Sequence, residues 1–237
     1  MVNNWLNNVL SLFFPYRCVL CQQRSEVKRD LCLSCESLQT IMPASHCSVC
    51  AIPLETTENS SLCGECLLTR PHYRQAFIPY IYEHGIRTMI SQLKFNARFV
   101  NTDLLAGMFL TAASQQQLEA AEALIPMPLH RRRQSQRGYN QSLLLANAIG
   151  KKWDLPVASQ YCRRIKHIPP QSGLTRKQRV KNIKGIFEII REVPYRHIAI
   201  IDDVMTTGSS VNELAKMFKQ AGVKRVDVWC IARTVKN

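Results

Sequence analysis

Eight cysteines fall into four Cys-x-x-Cys pairs: Cys18 with Cys21, Cys32 with Cys35, Cys47 with Cys50, and Cys63 with Cys66. Gaps of ten, eleven and twelve residues separate successive pairs, so this segment is an internal repeat. Two residues between thiols let a tight turn aim both sulfurs at one cation, and two such knuckles complete a tetrahedral thiolate site. Eight ligands then make two closed, structural zinc sites. Sequential pairing puts Cys18, Cys21, Cys32 and Cys35 on one ion and Cys47, Cys50, Cys63 and Cys66 on the other. A cross-braced arrangement satisfies the same spacing. Four evenly spaced pairs weigh against isolated redox thiols.

A second chemistry lies near the other end. A hydrophobic run from His197 to Ile201 leads into Asp202-Asp203-Val204-Met205 and then Thr206-Thr207-Gly208-Ser209-Ser210. Two carboxylates at the end of a buried strand can accept hydrogen bonds from vicinal sugar hydroxyls, or hold magnesium through water. The turn behind them offers backbone N–H groups and the hydroxyls of Thr206, Thr207, Ser209 and Ser210 to an anion at a helix N-terminus. Gly208 lets the backbone approach closely. A diol at one end and a phosphate at the other is a ribose 5-phosphate. A capped strand-to-helix turn accounts for one hydroxyl, not four, and leaves the acid pair unexplained.

Both chemistries need elements to position them. After Pro71 the pattern alternates between apolar runs and helical periodicity, which predicts a parallel sheet with flanking helices, an α/β fold. Strands are expected over Ala76 to Tyr82, Ala123 to Met127, His197 to Ile201 and Val226 to Ala232, and helices over Ile86 to Phe95, Thr102 to Ala113, Asn140 to Trp153 and Ser210 to Ala221. The cysteine-rich segment is short of core-forming residues, so metal would supply much of its folding free energy. The expected organisation is a helix and double zinc ribbon over residues 1–70 and the α/β domain over residues 71–237.

No apolar run approaches the roughly 18 to 20 residues that a membrane-spanning helix needs. Trp5 to Phe14 is interrupted by Asn7, Asn8 and Ser11. It reads as an amphipathic helix packing Trp5, Val9, Leu10 and Phe13 on its own domain, with docking on a membrane surface or a partner as the alternative. It is a poor secretion signal, with no basic residue before the apolar stretch and Pro15 and a cysteine cluster behind it. The thiols are therefore read as reduced ligands in the cytosol. Cys162 and Cys230, far from the pairs, read as buried hydrophobes.

The formal charge of +14 is concentrated. Between Ile125 and Gly185 fourteen Lys and Arg face a single acid, Asp154, and the rest of the chain is nearly neutral. Such a segment points to a polyanionic partner.

The run from His197 to Ser210 resembles the phosphoribosyl-pyrophosphate (PRPP) signature of type I phosphoribosyltransferases. Other stretches narrow the resemblance: Ile125-Pro126-Met127-Pro128-Leu129-His130 with Arg137-Gly138-Tyr139-Asn140-Gln141, Pro170-Gln171-Ser172-Gly173-Leu174-Thr175 with Arg179-Val180-Lys181-Asn182, and Gln92-Leu93-Lys94-Phe95. Together with the zinc ribbon they resemble the ComF (ComFC) family of competence proteins over nearly the whole chain. The resemblance implies a type I phosphoribosyltransferase fold behind a zinc ribbon, with PRPP or ribose 5-phosphate bound with magnesium at Asp202 and Asp203. It implies a role in handling incoming single-stranded DNA in the cytoplasm during natural transformation, alongside other DNA-uptake proteins.

In that superfamily one loop holds pyrophosphate and a basic loop before the signature strand closes over the substrate. Pro126 to Arg137 and Gln171 to Asn182 occupy those places. Arg131, Arg132, Arg133 and Arg137 can neutralise a pyrophosphate, and Arg176, Lys177, Arg179 and Lys181 can fold over it as a lid. The same residues can track a phosphodiester backbone. His130 reads as a further donor, and Tyr139 either stacks on a base or packs in the core. No residue is assigned a catalytic role. Binding a ribose phosphate is necessary for transfer but not sufficient, so a working phosphoribosyltransferase with an unidentified acceptor stands beside the DNA-handling reading. A basic excess larger than one pyrophosphate requires favours DNA.

Overall fold

The computed structural model describes residues 15–55, 61–166 and 183–235. The expected helix over Trp5 to Phe14 and the lid residues Arg176, Lys177, Arg179 and Lys181 lie outside the described residues.

The chain after the cysteine pairs forms β1 (Ala76–Phe77), β2 (Tyr80–Ile81), α3 (His84–Phe95), α4 (Val100–Gln115), β3 (Ala123–Pro126), α5 (Arg131–Arg137), α6 (Gln141–Trp153), β4 (Cys162–Arg164), β5 (Phe187–Ile189), β6 (His197–Met205), α7 (Ser209–Gln220) and β7 (Arg225–Arg233). Before them, α1 (Leu33–Ser37) and α2 (Gly64–Leu68) belong to the cysteine-rich segment. The main sheet has the order β1-β7-β6-β3, with β2 also on β7, and all its pairs are parallel. This is the expected α/β architecture. Four of the expected helices appear at their places, with ends shifted by one or two residues.

The sheet is covered on both faces, which is why its strands read as continuous apolar runs. Ile198, Ile200, Val226 and Val228 point to the face carrying Leu214 and Phe218 of α7. Ala199, Ile201, Trp229 and Ile231 point to the opposite face, against Ile90 of α3, Phe109 of α4 and Leu145 of α6.

Three departures from expectation have local causes. The strand expected over Ala76 to Tyr82 breaks into β1 and β2, separated by Ile78 and Pro79; Pro79 has no N–H for a ladder, and its carbonyl instead accepts from Met42 N at 2.8 Å. β6 runs on past Ile201, so both acids lie inside a strand. The equally long β7 supplies ladder partners to the end, with Val204 opposite Ala232 and Met205 opposite Arg233. Finally, β4 and β5 form a two-stranded antiparallel sheet, each strand too short to show a period of two in the sequence.

The two cysteine groups pack on opposite faces of the sheet. Cys18, Leu31 and Cys32 join the cluster of α3, α4 and α6, whereas Cys47, Val49, Cys50 and Cys66 join the cluster of α7. Backbone bonds tie the segment to the sheet edge, Ile81 N to Thr40 O at 2.9 Å and Ala76 N to Val49 O at 2.8 Å. No helix among the described residues is long and apolar enough to cross a membrane.

Candidate metal centres and ribose-phosphate site

The eight thiols collect as Cys18, Cys21, Cys32 and Cys35 in one group and Cys47, Cys50, Cys63 and Cys66 in the other, the sulfurs of each group within 4.8 Å of one another. Sequential pairing is therefore the arrangement adopted. A zinc tetrahedron with bonds of about 2.3 Å has sulfur-to-sulfur edges of about 3.8 Å. Cys21 and Cys32 are 3.8 Å apart and Cys50 and Cys63 3.6 Å, far beyond a disulfide and matched to that edge. Burial pushes the Cys18 and Cys47 thiols up, but backbone N–H groups and a hydrogen bond from the paired Cys21 or Cys50 together overcome it and bring Cys18 down to about 6 and Cys47 to about 7, so each group holds a thiol disposed to ionise. Zinc bound there replaces the core these loops lack. Elemental analysis of purified protein should return two zinc ions per chain; no metal, or iron in its place, would refute the assignment.

Each centre is joined to the α/β elements by a specific contact. The first sits on the start of α3, where Gln39 Oε1 accepts from Ile86 N at 2.8 Å. Gly85 lets the Leu20 and Gln39 side chains close on the helix start: a Cβ there would lie 2.5 Å from Leu20 Cδ1 and push them aside. The second is joined through Arg233, the last residue of β7, which is 4% exposed. Its Nε donates to Cys50 O at 3.1 Å, and Nη1 donates to Met205 O at 2.9 Å and also to Thr206 O. Arg233 thus spans from a metal-ligand turn to the residues opening the phosphate loop. A cavity of about 350 Å3 lies between the two, lined by Cys66, Arg70, Tyr73, Thr207 and Ser209 among others.

The turn from Thr206 to Ser210, the expected phosphate loop, joins β6 to α7. Gly208 is left-handed with φ of 75°, and a Cβ there would lie 2.5 Å from Met205 Cε. Thr207 Oγ1 and Ser209 Oγ are 2.9 Å apart. Gly208, the N-cap of α7, has no side chain to offer, and only Thr207 Oγ1 reaches the first turn, accepting from Ser209 N at 3.4 Å, a long contact that an anion at this positive helix end can replace.

Asp202 and Asp203 are held differently. Asp202 Oδ1 accepts from Ser142 Oγ and from Asp203 N, each at 2.9 Å. Asp203, 3% exposed, accepts from Val204 N at 2.8 Å and pairs with Lys94 Nζ at 2.8 Å. Burial and the neighbouring Asp203 raise the Asp202 carboxyl to about 7, against the pull of Lys94 and Ser142. Burial works against the Lys94 charge, but Asp203 holds the ammonium above its usual range. Lys94 sits in the last turn of α3, where the helix dipole favours a cation. Ser142 is placed by its neighbour Asn140, whose side chain caps α6 at Ser142 N, 2.9 Å away, and donates to Met127 O at 3.0 Å.

The arginines, expected in a pyrophosphate loop with a solvated helix start as the alternative, make the helix α5, opened by His130 Nδ1 accepting from Arg132 N at 3.2 Å and closed by left-handed Gly138. Helical spacing then splits them. Arg133 and Arg137, four apart, line a cavity of about 570 Å3 with Lys94 and Phe95. Arg131 and Arg132 are exposed to solvent. Arg137 donates to Gln141 Oε1. Tyr139 is committed to packing: its hydroxyl donates to Leu93 O and its ring meets Phe99 edge-on at 4.9 Å.

Sequence reasoning missed the roles of Lys94, Ser142, Arg164 and Arg233. Arg164, on β4, is held below the usual guanidinium range by burial first and by Arg133 second, with Asp202 opposing, so it belongs to the same electrostatic neighbourhood. Of the four, only Lys94 lies in a stretch that carries the family resemblance, Gln92-Leu93-Lys94-Phe95.

The double zinc ribbon domain family matches residues 9–67. The chain is 34% identical over 229 residues to "Competence protein F" of Haemophilus influenzae, covering 93% of this chain and 98% of that protein. It is 30% identical over 233 residues to "DNA utilization protein YhgH" of Escherichia coli K12, covering 94% and 100%. It is 26% identical over 209 residues to "Competence protein ComFC" of Streptococcus pneumoniae, covering 86% and 87%.

Proposed function

The chain belongs to the ComF (ComFC) family of competence proteins, and from that premise we propose that it handles incoming single-stranded DNA on the cytoplasmic side during natural transformation, through a site for a phosphorylated ribose. The observation that carries the reading is the continuity of β6, the Thr206–Ser210 turn and α7, which sets an acid pair at one end and a helix N-terminus opened by glycine and hydroxyl side chains at the other. Of the expected pair, Asp202 receives the ribose hydroxyls while the buried Asp203 holds Lys94 beside them, and residues Thr206, Thr207, Gly208, Ser209 and Ser210 receive the 5′-phosphate. The relatives' printed names, competence and DNA utilization, support the same role.

Magnesium accompanies PRPP in this reading. Both Asp203 oxygens are already engaged by Val204 N and Lys94, so Asp202, the less buried of the two, is the carboxylate to hold the ion through water. The ion would neutralise part of the pyrophosphate charge. Arg133 and Arg137 face that charge from the cavity side, while Arg131 and Arg132 extend the basic surface along a strand's phosphates.

If DNA runs along α5, log affinity should fall with log salt at about −0.7 per phosphate contacted. Replacing Arg131, Arg132 and Arg133 with alanine should flatten the slope by up to roughly two units, as each lost phosphate contact removes one increment. A slope near zero in the wild-type protein would overturn the DNA reading.

One observation favours the transferase alternative: β4 and β5 bracket residues 167–182, where the superfamily carries its closing loop. Mg–PRPP turnover, measured with and without single-stranded DNA and a panel of nucleobases, separates the two.

A further inference from the structure

Phe95 ends α3 beside the Lys94 that pairs with Asp203, and it is 75% exposed. A large aromatic ring so placed is unusual in a helix whose other apolar residues, Ile86, Met89, Ile90 and Leu93, are buried. The Arg137 guanidinium lies over one face of the ring, 5.6 Å from its centroid, and the exposure of the residue leaves the other face to solvent; Arg133 lines the same cavity. An open aromatic face, cations at phosphate-neutralising positions and a volume of about 570 Å3 make a stacking platform with charge on its rim. Tyr139, the aromatic that the sequence offers first for stacking, is engaged by Leu93 O and Phe99. Phe95 remains open.

We propose that this cavity binds an unpaired nucleobase, stacked on Phe95 and flanked by Arg137 and Arg133, next to the sugar and phosphate held at Asp202 to Ser210. The proposal rests on the ribose-phosphate reading and adds the base to it. Lys94 connects the two, lining the cavity and pairing with Asp203 across 2.8 Å. Every base has a π-face, so recognition by stacking is indifferent to sequence, as handling of an arbitrary incoming strand demands. The base is either part of a single strand or a free acceptor base.

The test compares a short polythymidine strand with an abasic sugar-phosphate strand of equal length, using fluorescence anisotropy. Wild-type protein should bind the base-bearing strand about tenfold more tightly, the usual scale of one stacked base. Phe95→Ala should abolish that ratio while leaving abasic affinity unchanged, and Phe95→Trp should restore it. Because Phe95 is exposed, the alanine variant should fold normally, which its melting temperature checks. Equal affinities in the wild type, or a ratio that survives Phe95→Ala, would overturn the base site and leave the DNA reading standing. Failure of both strands to bind would overturn both. Mg–PRPP turnover with free nucleobases assigns the source: transfer to the base that Phe95→Ala abolishes marks an acceptor base, and no transfer marks a base of the strand.

Discussion

Thr207→Glu should abolish binding of ribose 5-phosphate and Mg–PRPP, weakening affinity by roughly a hundredfold or more. Thr207 sits at the mouth of the phosphate loop, half-buried, its hydroxyl 2.9 Å from that of Ser209. A carboxylate there meets an incoming phosphate with like charge and competes for the same α7 N-terminus. The longer side chain also fills the space where the anion should lie. Thr207→Ser keeps the hydroxyl and should bind nearly as well as wild type. Calorimetry on the three proteins decides the matter, and an unchanged affinity for Thr207→Glu would mean that the loop is not a phosphate site.

The second large effect is expected at Arg233. Replacing it with leucine removes a buried cation and strands the carbonyls of Cys50 and Thr206, each unsatisfied acceptor costing about 1–3 kcal/mol. Denaturant unfolding should register a loss of about 3 kcal/mol. Because one guanidinium holds both turns, the same variant should release zinc from the Cys47, Cys50, Cys63 and Cys66 site faster to a chelator, and bind ribose phosphate roughly tenfold more weakly. Lysine should not rescue either property, since its single ammonium cannot reproduce the fork that reaches both sides. If stability falls while zinc release and phosphate affinity stay at wild-type values, Arg233 is a core residue and no link.

How far the sequence was legible depended on the range of the interactions involved. The zinc sites were legible because their signal is local: a turn of two residues between thiols identifies a knuckle wherever it packs. β3, β6 and β7 were legible because a strand buried on both faces must be apolar throughout, and α7 because its Gly208 start and Gly222 stop flank a clear amphipathic period. Arg233 was invisible because its partners lie 183 and 28 positions away and are backbone carbonyls, which leave no residue-type signature. The pairing of Lys94 with Asp203 was hidden by distance alone, since both residue types are visible but nothing local joins α3 to the end of β6. The split within the arginine cluster needed the helix that His130 and Gly138 delimit, since a loop would not have sent Arg133 and Arg137 one way and Arg131 and Arg132 the other.

α3 is pinned at both ends. Gly85 and Ile86 meet the first zinc knuckle at its start, and Lys94 meets Asp203 at its finish. A helix fixed in this way acts as a gauge: its length and its phase are both set. Adding one residue between the two anchors would advance the far end by about 1.5 Å and turn it by about 100°, carrying Lys94 off Asp203 and Phe95 off its cavity. A shortened α3 would fail in the opposite sense. The spacing between the first cysteine group and the Lys94-Phe95 pair is therefore a dimension of the site, so changes in chain length should be confined to the segments that neither anchor touches.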